Sequence, residues 1–343
     1  MASFGSDFLL FAATAAFLTW QKKVLAAADD GSCLADTTAL KNSAFVFVKP
    51  HANTPQTQAL VKTKLQQSGI TILQEADISA SDIDTKKLID QHYYAIASKA
   101  TILSAKDIPV PKAKFQESFG ESWDAVLKEG RACNAMEACQ RFQCDSATLN
   151  EAWQQSPKVV KFGGGFYCGK VTLHKQTLYV FNAFFMSMRS KFVVGNGIHC
   201  YVVEWNPKTL SWSDFRNKVL GPTDPAEAPA GSLRRTILEQ YKMLGLDSQP
   251  DKGDNGVHAS ASPFEGLAEK MNWLGLSVRD DAFGKALLDA GVAQQTIHEW
   301  SVDPRVTQTD GSLGSIFDAL EDLDVDECLA KMVELNELNS NLI

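Results

Sequence analysis

The stretch Asp254-Asn255-Gly256-Val257-His258-Ala259-Ser260-Ala261-Ser262 sets one histidine among small residues, which leave room for a bulky charged group to reach an imidazole. Glu265, Glu269 and Lys270 follow on a helical stretch that ends near Trp273. His258 and Glu269 meet only if the chain turns sharply after the histidine. Pro263 is placed to start a helix there, because proline suits the first helical position. A carboxylate that holds one ring nitrogen leaves the other free to act as a nucleophile, so the pair suits covalent catalysis at histidine.

The elements that must position this pair follow from the pattern of apolar residues. Residues 44–48 form a continuous apolar run and predict a buried strand. Thr54-Pro55 reads as an N-cap followed by the first helical residue. Ala59, Leu60, Val61 and Leu65 give that helix a core face, and Gly69 ends it. Residues 70–78 predict a second strand. Ser79-Ala80-Ser81-Asp82 then starts a helix running through Leu88, Ile89, His92 and Tyr93. Further on, residues 198–205 predict a strand that stops at Asn206-Pro207. Ser211-Trp212-Ser213-Asp214 opens a helix with Phe215, Val219 and Leu220 inward.

Between these two groups lie residues 95–180, which hold Trp123, Trp153 and the cysteines Cys133, Cys139 and Cys144. Zinc sites want paired Cys-x-x-Cys and four ligands, which this spacing does not supply. Some of the three fall on one helical face, so they read as buried core thiols. Gly163-Gly164-Gly165 reads as a turn or bulge, because no Gly-Lys-Ser/Thr follows to make a phosphate loop. Residues 170–173 and 177–181, around His174-Lys175-Gln176, predict a β-hairpin. Past Leu276, Phe283, Ala286, Leu287 and Leu288 predict a helix ending at Gly291. Ile316, Leu320, Leu323, Cys328, Leu329, Met332, Val333 and Leu335 predict one or two acidic amphipathic helices.

The 343 residues suffice for one large domain or two ordinary ones. With 45% hydrophobic and 22% charged residues, the composition is that of a soluble globular chain. A net charge of -8 argues against a nucleic-acid surface as its main business. Seven cysteines without regular pairing point to reduced thiols and a cytoplasmic setting. Residues 1–36 stand apart. Their apolar run over 8–20 is shorter than the roughly 20 residues that a spanning helix needs. Two readings of residues 8–28 stand: an apolar helix that docks on the body or a partner, or an organelle-targeting or membrane-associating segment that Ala26-Ala27-Ala28 could end. Asp29-Asp30-Gly31-Ser32 reads as a linker.

Taken in order, the motifs resemble those of the nucleoside diphosphate kinase family over residues 44–94 and 199–273. The family's active-site line is Asn-x-x-His-Gly-Ser-x-Ser with a glutamate on the next helix; Asn255 to Ser262 and Glu269 match it. Gly221-Pro222-Thr223-Asp224-Pro225-Ala226 and Gly231-Ser232-Leu233-Arg234 resemble the family's Thr-Asn/Asp-Pro-Ala and Gly-Thr-Ile-Arg. Ala44-Phe45-Val46-Phe47-Val48-Lys49-Pro50 resembles its first strand and Lys-Pro, and Tyr93 falls at its Gln-His-Tyr. Departures are Ala259 for a glycine, Ala261 for an aspartate and His51 for an aspartate. Arg216 stands one residue early, with Asn217 in the expected slot.

The resemblance implies an α/β (α+β) fold: a ferredoxin-like antiparallel sheet with packed helices over residues 37–276. An insertion subdomain at 95–180 interrupts it, and a helical extension covers 277–343. It also implies transfer of the γ-phosphoryl of a nucleoside triphosphate to a nucleoside diphosphate through a phosphohistidine. His258 is the implied nucleophile, oriented by Ser260 and Glu269. Lys49 would meet the γ-phosphoryl and, with Asn255, the ribose hydroxyl. Arg234, Thr223 and Arg216 would hold phosphates, Tyr93 would lie near them, and Phe185 would stack on the base. No side chain is implied as a metal ligand, because Mg²⁺ rides on the nucleotide phosphates. His258 must be uncharged to attack, so activity is expected to fall below about pH 6.5. Partners would be the nucleotides, and the insertion or the C-terminal helices could serve a homo-oligomer or larger assembly. The alternatives are a structural module that keeps the fold without turnover, and a nucleotide sensor.

Overall fold

The first strand is apolar along its whole length because both of its faces are covered. In the computed structural model, which describes residues 40–163 and 165–340, β1 (Asn42–Val48) turns Ala44, Val46 and Val48 into one cluster and Phe45 and Phe47 into another. The chain continues through α1 (Pro55–Gln67), β2 (Thr71–Ile78), α2 (Ala80–Thr85) and α3 (Leu88–His92). The next segment carries β3 (Ala132–Asn134), α4 (Ala135–Phe142), α5 (Ser146–Gln154), β4 (Val159–Gly163), β5 (Phe166–Leu173) and β6 (Gln176–Phe181). Then come α6 (Phe184–Val193), β7 (Ile198–Trp205), α7 (Leu233–Gln240), β8 (Val257–Ala259) and α8 (Pro263–Leu274). The chain closes with α9 (Ala282–Asp289), β9 (Arg305–Thr307), β10 (Leu313–Ser315), α10 (Ile316–Leu320) and α11 (Val325–Ser340).

The main sheet has the order β2-β7-β1-β8, and all its pairs are antiparallel. This is the ferredoxin-like arrangement, with helices packed on the sheet. Val46, Val61, Tyr201, Val203, Trp212 and Ile237 fill one side; Phe45, Phe47, Ile89, Cys200 and Trp273 fill the other. A second sheet, β3-β6-β5-β4, is built from residues 132–181. Its β5–β6 hairpin turns at His174 and Lys175, both left-handed at φ 51° and 65°, which suits the twist of a two-residue hairpin. The tail lays Val278, Phe283, Leu287, Ile316 and Leu335 against Phe264 and Leu267 of α8.

Thr54 caps α1 and Ser79 caps α2, as their types predict, each hydroxyl accepting a backbone N–H three residues on. Several local expectations need correction. Ala59 is exposed, and α1 buries Thr57, Val61 and Leu65 instead. The helix expected from Ser79 through Tyr93 is broken, because Lys87 adopts a left-handed φ of 53° between α2 and α3. Cys133 lies on β3, Cys139 on α4 and Cys144 after it, so the three do not share a helix. The hairpin β9–β10 in the tail has no counterpart in the sequence reading. Ser211 caps a single α-turn, Trp212–Asp214, that continues as a π-helix, Phe215–Leu220. Residues 1–39, with the apolar run and the linker read there, and Gly164 lie outside the described residues. Among the described residues no helix is long and apolar enough to cross a membrane.

Candidate active site

β8 is a three-residue strand whose alternation decides where the histidine points. Val257 and Ala259 face the cluster around Val46, and His258 faces the opposite side. The register sets His258 across from Phe47, and the two rings stack with centroids 4.6 Å apart. Gly256 precedes the strand at φ 87°, where a Cβ would meet Ile237 at 2.9 Å, so both backbone angle and space call for glycine.

The sharp turn after the strand is made by Ser262, which caps α8 through Glu265 N–H at 3.1 Å, with Pro263 at the first helical position. Gly266 lets that helix lie close on β1, since a Cβ there would stand 2.6 Å from Ser43 O. Glu269 is thereby carried under the imidazole. His258 Nε2 lies 2.6 Å from Glu269 Oε1, and Ser260 Oγ lies 2.6 Å from Glu269 Oε2. Ser260 is itself fixed by Phe45 N–H, which donates to its hydroxyl at 2.9 Å. With the Nε2 proton donated to the carboxylate, Nδ1 keeps its lone pair.

Electrostatics favour that state. Burial, then Lys49, Arg234 and Arg216, push the His258 imidazole well below its ordinary range, so it stays uncharged in mildly acidic solution. Burial raises the Glu269 carboxyl to about 7. His92, pushed down to about 3 by burial, is neutral beside the pair, edge-on to His258 at 4.8 Å. The group of the pair whose pKa lies near neutrality is therefore Glu269, not the imidazole that the sequence reading singled out. Once protonated, Glu269 must donate to Nε2, and the ring proton then occupies Nδ1.

Lys49 leaves β1 and lines a cavity of about 300 Å³ with Tyr93, Phe184, Met188 and Asp254. Its Nζ donates to Gly253 O at 3.2 Å, and burial lowers its pKa to about 8. Arg234 is held rigidly: Nε and Nη2 donate to Val257 O at 3.2 and 3.1 Å, and Nη1 donates to Gly221 O at 2.8 Å. A guanidinium has five N–H donors, so one remains on each terminal nitrogen, the fork that suits a phosphate. Arg234, Thr223, Arg216 and His258 share a cavity of about 380 Å³. Thr223 is exposed, and its carbonyl accepts from Asn255 Nδ2 at 2.9 Å. Asn255 is 2% exposed, and its Oδ1 is a buried acceptor that finds no donor among the described residues.

Two expected binding residues are not free to act as expected. Phe185 is fully buried in the cluster of the 132–181 segment, with Trp153, Leu178 and Val180, and offers no face to a base. Its neighbour Phe184 lines the Lys49 cavity instead. Arg216 sits in the π-helix Phe215–Leu220. Nη1 of Arg216 is engaged by Glu321 Oε1 at 2.6 Å and Asp322 Oδ1 at 2.7 Å. Sequence reasoning missed these two carboxylates, and no signal in the chain linked them to an arginine more than a hundred residues away. It also missed His92, which the matched Gln-His-Tyr could have flagged, and Lys270, buried in α8 against Asp281.

His92, His258 and Glu269 bring two ring nitrogens and a carboxylate oxygen within 4.8 Å of one another. Magnesium prefers oxygen donors, so this set does not suit it. The carboxylates nearest the arginines, Glu321 and Asp322, are both paired with Arg216.

No protein-family model matches this chain, and no curated protein matches it. Among solved structures, a nucleoside diphosphate kinase from Encephalitozoon cuniculi is similar at a TM-score of 0.34 and 13% identity, over 69% of this chain and 90% of that one. An NDP kinase from Pyrobaculum aerophilum is similar at a TM-score of 0.33 and 17% identity, over 68% of this chain and 96% of that one.

Proposed function

We propose that this chain is a nucleoside diphosphate kinase-like phosphotransferase working through a phosphohistidine on His258. The observation that carries the reading is the 2.6 Å bond from His258 Nε2 to Glu269, itself held by Ser260, which leaves Nδ1 with a lone pair. In the first half-reaction that lone pair forms a bond to the γ-phosphorus. The bond from the γ-phosphorus to its bridging oxygen breaks, and the nucleoside diphosphate leaves with the electron pair. In the second, a β-phosphate oxygen of another diphosphate attacks, the P–N bond breaks, and Nδ1 recovers its lone pair.

Glu269 offsets the positive charge that grows on the ring as the P–N bond forms. The two spare N–H groups of Arg234, with Lys49 nearby, offset charge on the phosphoryl oxygens. Magnesium on the phosphates would neutralise part of their charge when bound. Phe184, which lines the Lys49 cavity, takes the role of base platform that Phe185 cannot fill.

A second reading, a structural module without turnover, is favoured by one observation: Arg216 is already paired with Glu321 and Asp322. The two readings part in a chase experiment. The full chain is incubated with γ-labelled ATP, freed of nucleotide and given unlabelled GDP. Label on the protein that then passes into GTP supports the kinase; ADP binding without protein-bound label is the outcome of a nucleotide sensor, and neither binding nor label leaves the structural module.

A further inference from the structure

Two carboxylates stand in the phosphate end of the site with no part in the transfer chemistry. Glu321 and Asp322 line the same cavity as His258, Thr223 and Arg234. Asp322 accepts a hydrogen bond from the Nη1 nitrogen of Arg216, and Glu321 forms an ion pair with the same nitrogen. The turn that carries them is docked on the nucleophile's own loop, where Asp322 N–H donates to Ala261 O at 3.0 Å. We infer that this acidic turn of the C-terminal extension is a resident stand-in for the nucleotide's phosphates, which polyphosphate must displace from Arg216 in order to bind. The inference rests on the reading of the site as a polyphosphate pocket, and it deepens that reading by naming how access is regulated.

Charge supplies the first argument. Arg216 and Arg234 together bring two positive charges to the cavity, and Glu321 and Asp322 bring two negative ones; Glu265 also lines it, but burial pushes its carboxyl well above the ordinary range and so favours the uncharged form. A polyphosphate entering this end therefore meets little net attraction while the turn is in place, and a doubly cationic wall once it has moved. Two arginines this close repel each other, and the repulsion contributes to the lowered pKa of Arg234. Some anion is therefore favoured here, and in the free protein the chain supplies it.

Tethering supplies the second. Leu320 and Val325 are both buried in the tail's core, so only the short span between them can swing. Asp324 anchors its far end by accepting from Trp212 N–H at 2.7 Å and Asn42 Nδ2 at 2.6 Å. A tethered competitor acts at high effective concentration, yet it need retreat by only a few ångströms to yield. Asp322 sits at φ 65°, a left-handed conformation that a non-glycine residue holds at some cost, which makes release easier. The tail also reaches the other side of the imidazole, where Asp303 and Phe317 share a cavity of about 270 Å³ with His258 and Glu269.

The test compares ADP binding by calorimetry in the full-length chain and in Glu321→Gln/Asp322→Asn, with phosphohistidine labelling run in parallel. Loss of the competing charges should tighten ADP binding roughly tenfold or more, within the 5- to 150-fold span usual for coupled sites. Asp322→Gly is a second variant that keeps the turn folded, because glycine prefers this backbone angle, and it should tighten binding in the same direction. In the unmodified protein, saturating ADP should speed hydrogen exchange in the amides of residues 320–325. Equal ADP affinity in all three proteins, with exchange unchanged by ADP, overturns the inference while leaving the kinase reading intact if His258 still labels. Absence of both ADP binding and label in all three overturns the kinase reading and the inference with it.

Discussion

Replacing Ser260 with alanine separates positioning from packing. Its hydroxyl is fully buried, lies 2.6 Å from Glu269 Oε2 and accepts from Phe45 N–H at 2.9 Å. A hydrogen bond to a charged group is worth about 1.5–3 kcal/mol. At about 1.4 kcal/mol per pKa unit, its loss should raise the Glu269 carboxyl by roughly one to two units. From its value of about 7, that carries Glu269 well into the alkaline range. At pH 7 the ionised fraction would then fall from about half to between roughly a tenth and a hundredth, a 5- to 50-fold loss of rate. The same substitution strands Phe45 N–H and should cost about 1–3 kcal/mol of stability. The assay is initial rate of phosphoryl transfer from pH 5.5 to 9.5 with a thermal melt at each end. Recovery toward the wild-type rate near pH 9.5 is the expected result. A uniform loss at every pH, or no shift of the acid limb, refutes the proposed role of Ser260.

Three further outcomes follow from the same geometry. Wild-type activity should rise with pH through about 7 as Glu269 ionises and Nδ1 regains its lone pair, and a pH–rate profile checks it. Glu269→Gln should slow turnover yet flatten that limb, because an amide oxygen accepts from Nε2–H at every pH; a limb that persists means another group titrates. Phe184→Ala should weaken ADP binding roughly tenfold and cost less stability than Phe185→Ala, because Phe184 is only half-buried against Trp153 and Tyr167, whereas Phe185→Ala should cost about 3–5 kcal/mol, both read by calorimetry and denaturant melts.

The site's chemistry was legible where it depends on local pattern. Pro263 at the start of a helix and the spacing to Glu269 pointed to a turn that returns the carboxylate to the histidine, and Ser262, not singled out in the sequence, caps it. The all-apolar β1 announced a strand covered on both faces, and it is the strand against which β8 pairs. What the sequence could not supply was the outcome of competition between distant segments. Phe184 and Phe185 are equally aromatic and about 100° apart on a helix. Which one reaches the Lys49 cavity depends on where the 132–181 segment places its core. Lys87 carries no glycine or proline to mark the break between α2 and α3. Arg216 looked like a free cation because its carboxylate partners lie 105 and 106 residues further on. Lys270 had no partner in sight in the sequence, because Asp281 reaches it from the tail.

The central claim is that Nδ1 of His258 carries the transferred phosphoryl, and its most direct test is the regiochemistry of the phosphorylated protein. The full chain, incubated with ATP and magnesium and kept at alkaline pH, is examined by ³¹P NMR and by mass spectrometry of the peptide spanning residues 255–262. The account predicts a single phosphate on His258, attached to Nδ1, stable in base, lost in acid and absent from His258→Asn. Phosphate on Nε2, on another residue, or on none contradicts it.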